Sequence, residues 1–124
     1  DLNIYLPGAP PSPAFDWDGD GAITAQREGV MLIRYLLGLS AAAVSGGIPL
    51  TGARTPASVY EEIKTVAERG WFRFADAVDT TAHRDGMMFV RCLRGLSGTQ
   101  LVAGVPSADP AKANRICAGL LATQ

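Results

Sequence analysis

TAQREGVMLIRYLLGLSAAAVSGGIP, residues 24–49, returns in the second half of the chain as TAHRDGMMFVRCLRGLSGTQLVAGVP, residues 81–106. Aligned without a gap, the two agree at about a dozen of 26 positions. The shared residues include Thr24/Thr81, Arg27/Arg84, Gly29/Gly86, Met31/Met88, Arg34/Arg91, Gly38/Gly95 and Pro49/Pro106. Agreement over this length marks a tandem duplication in which neither copy buries its apolar face alone. The expected organisation is one domain over 15–124, with a first repeat at about 15–70 and a second at about 71–124.

Both copies follow one plan. The apolar stretches 30–37 and 87–93 predict two central helices, apolar on most faces and therefore at the middle of the core, with Met31, Met87 and Met88 as gap-filling side chains. Thr24 and Thr81 stand where N-caps are expected, and Gly38 and Gly95 where a left-handed residue would end each helix. A short helical turn follows at 41–45 and at 99–102. A second helix then closes each copy. Thr55 and Pro56 open one, with Val59, Ile63, Val66 and Ala67 on one face; Asp109 and Pro110 open the other, with Ala113, Ile116, Cys117, Leu120 and Leu121. The fold class read from this pattern is all-α, two loop-helix units packed about a pseudo-twofold axis. Arg34 and Arg91, repeated inside apolar helices, must reach solvent or a carboxylate, for which Glu61, Glu62 and Glu68 are the expected partners.

Immediately before the first copy stands FDWDGDGAITAQREG, residues 15–29. Counted from Asp16, carboxylates fall at positions one, three and five, glycines at four and six, and Ile23 at eight, which is the front half of an EF-hand-type calcium loop. A hard cation needs several oxygens to converge, and Gly21 permits the turn that aims the next carbonyl, Ala22, inward. Position twelve is Arg27, which cannot ligate a cation, and the acid comes one residue later as Glu28. Either the loop is one residue longer and Glu28 closes it, or its affinity is weak. The second copy keeps Asp76, Asp79 and Asp85 but lacks the D-x-D-x-D-G run, so a second calcium site there is not expected.

The D-x-D-G-D-G loop resembles the dockerin family, and so do the closing acid followed by Gly, the apolar helix with its internal Arg and terminal Gly, and the duplication of the whole. The likeness is closest to the longer dockerin-like tandem modules of secreted bacterial proteins. It covers roughly 15–121 and rests most on Asp16, Asp18, Asp20 and Glu28. It implies a calcium-stabilised, non-catalytic interaction module of a secreted or surface protein. It also implies a partner face near the start of each central helix, at Ala25, Gln26 and Arg27 and at Ala82, His83 and Arg84. The partner would be cohesin-like, an adjacent domain, or a second copy.

Composition narrows the alternatives. The chain has 124 residues, 48% hydrophobic and 19% charged, with a net charge of −1, a folded-domain balance without the clustered basic charge that nucleic acid requires. No apolar run approaches the roughly 20 residues of a bilayer-spanning helix, so no membrane insertion is expected. Residues 1–14, with Pro7, Pro10, Pro11 and Pro13, read as a linker or N-terminal arm. A start at Asp1 without Met or a signal peptide is expected of a processed protein or a piece of a longer one.

Cys92 lies on a central helix and Cys117 on the inward face of the helix that covers it. The pair is therefore expected as a disulfide in an oxidising compartment, with two buried thiols as the alternative. Two rival functions remain. Trp17, Trp71, Phe72 and Phe74 could stack on carbohydrate, although core packing is the favoured role. F-D-x-D-G also resembles the nucleophile motif of haloacid dehalogenase-like, Mg²⁺-dependent phosphatases, but that motif needs a buried strand before it, and APPSPA at 9–14 is poorly suited to one. His83 has no evident nucleophile beside it and carries no catalytic assignment.

Overall fold

The computed structural model describes residues 15–70, 72, 74, 81–105 and 108–121, and all regular structure among them is helical. The proline-rich arm, Trp71, Asp76 and Asp79 lie outside the described residues. The helices are α1 (Val30–Leu36), α2 (Ala41–Val44), α3 (Pro56–Glu68), α4 (Met87–Leu93), α5 (Gly98–Leu101) and α6 (Pro110–Leu121). Two π-helical turns, Ala25–Gly29 and Ala82–Gly86, lead directly into α1 and α4. Among the described residues no helix is long and apolar enough to cross a membrane.

The π-turns were not legible in the sequence. In each, a glycine amide donates across five residues, Gly29 N–H to the Thr24 carbonyl at 3.0 Å and Gly86 N–H to the Thr81 carbonyl at 3.1 Å. Thr24 and Thr81 have the extended backbone of N-caps, but their side chains do not cap, and both hydroxyls are buried without a partner. The longer side chain four residues on spans the wide turn instead. Glu28 Oε1 accepts from Thr24 N–H at 2.9 Å, and Asp85 Oδ2 from Thr81 N–H at 2.9 Å. The N-cap expectation is thus corrected in its donor–acceptor sense: the threonine backbone donates and the acid accepts.

The two turns also explain their glycines. α1 lies against the second π-turn and α4 against the first. A Cβ on Gly29 would stand 2.9 Å from Val90 Cγ2, and one on Gly86 3.0 Å from Ile33 Cγ1. Both glycines have ordinary helical φ, −60° and −62°, so close approach of the other copy accounts for them and not backbone handedness. Gly38 and Gly95, by contrast, are left-handed at φ 85° and 84° and end α1 and α4.

The internal arginines have a different partner from the one expected. Arg34 Nη1 donates to the carbonyls of Ala43, Val44 and Gly46 at 3.3, 3.2 and 2.7 Å. Arg91 Nη1 donates to those of Leu101 and Ala103 at 3.2 and 2.6 Å. Helices α2 and α5 are four residues long, and their terminal carbonyls have no partner within the helix. A planar guanidinium with several donors meets two or three such carbonyls at once, and a glutamate partner is not needed.

Local signals hold the outer helices. Thr55 and Ser58 form a reciprocal capping box before Pro56 on α3, Asp109 Oδ1 accepts from Ala111 N–H at 3.1 Å, and Asn114 Oδ1 accepts from Gly98 N–H at the start of α5. The core centres on the edge-to-face contacts of Phe15, Trp17, Phe72 and Phe89, with Met31, Leu32, Ile63, Met88 and Leu120 around them. Leu121, expected on the inner face of α6, is partly exposed. A Cys92–Cys117 disulfide ties α4 to α6 across 25 residues, and closing a loop of that length contributes about 3 kcal/mol in the chain-entropy view.

The close approach at Gly29 has a measurable consequence. Gly29→Val places a branched side chain against Val90 and lowers the free energy of unfolding in urea by about 2 kcal/mol or more. Gly29→Ala costs less, because better helix propensity returns about 1 kcal/mol. Equal stability of Gly29→Val and the parent would contradict this packing.

Candidate metal centre

The loop over 15–24 is folded by its own aspartates. Phe15 and Trp17 enter the core with no exposed surface. Asp16 between them accepts from Gly19 N–H at 3.2 Å through Oδ1 and from Gly21 N–H at 2.9 Å through Oδ2. Asp18 Oδ1 accepts from Asp20 N–H at 3.4 Å, and Asp20 Oδ1 from Ala22 N–H at 3.0 Å. These short side-chain turns curl the chain so that the carboxylates converge. Gly19 and Gly21 carry φ of 76° and 92°, a conformation that costs glycine little.

A second element fixes the loop from outside. Thr51, in the connection between α2 and α3, donates its N–H to the Asp18 carbonyl at 3.0 Å, and its hydroxyl contacts the carbonyls of Asp18 and Gly19 at 3.0 and 2.9 Å. Any Cβ on Gly19 would overlap Thr51 Oγ1 and the Arg54 guanidinium. The sequence reading missed Thr51 because it lies far from the motif and belongs to no recognisable pattern.

Asp16, Asp18, Asp20 and Glu28 come together: one oxygen from each lies within 4.8 Å of the others. Asp16, Asp18 and Glu28 are buried and Asp20 is exposed. The π-turn is what brings Glu28 in. Its extra residue lets an acid at position thirteen reach the loop that an acid at position twelve would otherwise close. Glu28 Oε2 also accepts from Asp18 N–H at 3.5 Å. A set of converging carboxylate oxygens with no nitrogen or sulfur donor suits a hard divalent cation, and the flexible geometry of Ca²⁺ tolerates an irregular shell better than Mg²⁺ does.

The electrostatics follow from burial. Desolvation pushes the Glu28 carboxyl up to about 8, and its hydrogen bond with Asp18 acts in the same direction. Asp18 is also raised by burial, but hydrogen bonds from Glu28, Arg27 and the Asp20 amide outweigh it and hold Asp18 well below the usual carboxylate range. Burial raises Asp16, the Gly21 amide opposes that, and the neighbouring Asp18 and Asp20 add to it.

The other anticipated residues are scattered. Ala25 is buried. Gln26 and His83 are exposed. Arg27 turns back onto the loop, its Nη1 2.8 Å from Asp18 Oδ2 and 3.5 Å from Asp20 Oδ2. Ala82 and Arg84 are half-buried, and Arg84 Nε lies 3.4 Å from Asp85 Oδ2. Asp85 is fully buried at the place corresponding to Glu28. Trp17, Phe72 and Phe74 have no exposed surface, so they offer no stacking face to a sugar. No protein-family model, curated protein or solved structure matches the chain.

The raised Glu28 carboxyl makes stability in the presence of chelator depend on pH. Because its folded value lies above the ordinary 4.5, the native state holds a proton that the unfolded state has released between about 4.5 and about 8. Its contribution is complete below 4.5 and is lost as pH rises through about 8. The melting midpoint in chelator therefore falls between pH 5 and pH 8, and Glu28→Gln removes most of that slope. A midpoint that is flat or rises over this interval would contradict the assignment.

Proposed function

We propose that this domain is a non-catalytic calcium-binding interaction or structural module of the dockerin-like kind, appended to a secreted or surface protein. The observation that carries this reading is the convergence of Asp16, Asp18, Asp20 and Glu28 at the entry to α1. In this reading they hold one Ca²⁺ together with the Ala22 carbonyl. The reciprocal seating of each central helix on the other copy's π-turn supports the duplicated, pseudo-twofold arrangement that the resemblance implies. The disulfide supports an oxidising setting, and the extracellular one of the proposal supplies free calcium at millimolar concentration.

The ion's work is electrostatic. It stands among carboxylates that otherwise repel one another, fixes the loop, and orders the π-turn from which α1 starts. Gln26 and His83, exposed at matching places on the two turns, are the centre of the proposed partner face. The partner is a protein: a cohesin-like domain, a neighbouring domain of the same polypeptide, or a second copy.

Thermal melting tests the calcium reading. With a dissociation constant on the order of 10⁻⁵ M, millimolar calcium adds about 2.7 kcal/mol, or about 10 °C in the midpoint. Calcium is expected to raise the midpoint well beyond magnesium, and Glu28→Gln to abolish the rise. The same midpoint with calcium, magnesium and chelator would overturn the reading.

A further inference from the structure

Arg27 occupies the position at which an ordinary loop of this type places its last ligand, and its guanidinium reaches the cluster in that ligand's stead. Nη1 lies 2.8 Å from Asp18 Oδ2 and 3.5 Å from Asp20 Oδ2. The side chain is 39% exposed, whereas that of Asp18 has no exposed surface. The guanidinium therefore enters from the solvent side and ends on a buried carboxylate that has no other cationic partner among the described residues. Asp18 is also one of the four groups whose oxygens converge. A carboxylate whose charge is drawn to a guanidinium at hydrogen-bonding distance holds a divalent ion less tightly, since both are cations drawn to the same charge.

We propose that Arg27 is a built-in competitor of the bound cation: it neutralises Asp18 and Asp20 when calcium is scarce, and calcium displaces it to solvent. This rests on the calcium reading above and deepens it. Two consequences follow. The loop keeps part of its order without the ion, because the arginine offsets some of the carboxylate repulsion, and the ion completes that order. The calcium affinity is correspondingly lower, because binding must break an existing ion pair. The displaced guanidinium emerges beside Gln26, so calcium binding adds a positive charge to that face. In the second copy, where the sequence has no D-x-D-x-D-G run, the matching arginine lies instead near the adjacent acid, with Arg84 Nε 3.4 Å from Asp85 Oδ2.

Calorimetric calcium titration of the parent, Arg27→Gln and Glu28→Gln, with melting of each in chelator, tests the proposal. Arg27→Gln is expected to tighten calcium by about fivefold or more while lowering the midpoint in chelator. Glu28→Gln is expected to weaken calcium strongly. Calcium binding by Arg27→Gln alone would also support the competitor. If the parent binds calcium and Arg27→Gln binds it equally or more weakly, the competitor is overturned and the calcium reading stands. If neither binds calcium, both are overturned. A chelator midpoint unchanged by Arg27→Gln contradicts the neutralising role whatever the affinities.

Discussion

Four carboxylates with oxygens inside a 4.8 Å group, three of them on buried residues, cannot all be ionised unless positive charge stands among them. Much of the local structure responds to that constraint. Burial pushes the Glu28 carboxyl up and favours its neutral form, the Arg27 guanidinium offsets Asp18 and Asp20, and backbone amides of Gly19, Gly21 and Ala22 donate to the aspartates. A divalent cation held among these oxygens would meet the same demand. The three devices and the ion are alternatives for a single electrostatic need, which is why the residues that would hold the metal also hold the loop.

The constraint reaches the core through the π-turn. Glu28 is at once a member of the cluster, the acceptor for Thr24 N–H and a neighbour of Gly29, whose missing Cβ admits Val90 of the other copy. A shift in how the loop closes is therefore felt at the contact between repeats. The second copy keeps this mechanical half, with Asp85 on Thr81 N–H and Gly86 against Ile33, while its sequence lacks the aspartate run. The turn is present in both copies although their aspartates differ, so its packing role does not depend on the aspartate run.

The helical class and the central helices were legible because apolar periodicity and terminal glycines act locally: Gly38 and Gly95 end α1 and α4 as the sequence implies. The four acids were legible because a hard cation demands closely spaced oxygens. What was not legible depends on backbone geometry that no residue type signals. The π-turn admits Glu28, takes the capping role from the Thr24 and Thr81 hydroxyls and buries Ala25. Thr51 is distant in sequence and anonymous in type. Arg34 and Arg91 could be recognised as needing partners, but their choice of carbonyls over glutamates follows from α2 and α5 being too short to satisfy their own ends. The repeated T-A-x-R-[ED]-G held the missing clue, an acid at a fixed distance after each threonine.

Asp16, Asp18, Asp20 and Glu28 are proposed to form one calcium shell closed at position thirteen. A crystal structure determined in millimolar calcium tests it most directly. A single strong peak is expected about 2.3–2.6 Å from an oxygen of each of the four carboxylates and from the Ala22 carbonyl, with the Arg27 guanidinium moved away from Asp18. A calcium-grown crystal with no ion among these oxygens, and with Arg27 still paired to Asp18, would contradict it.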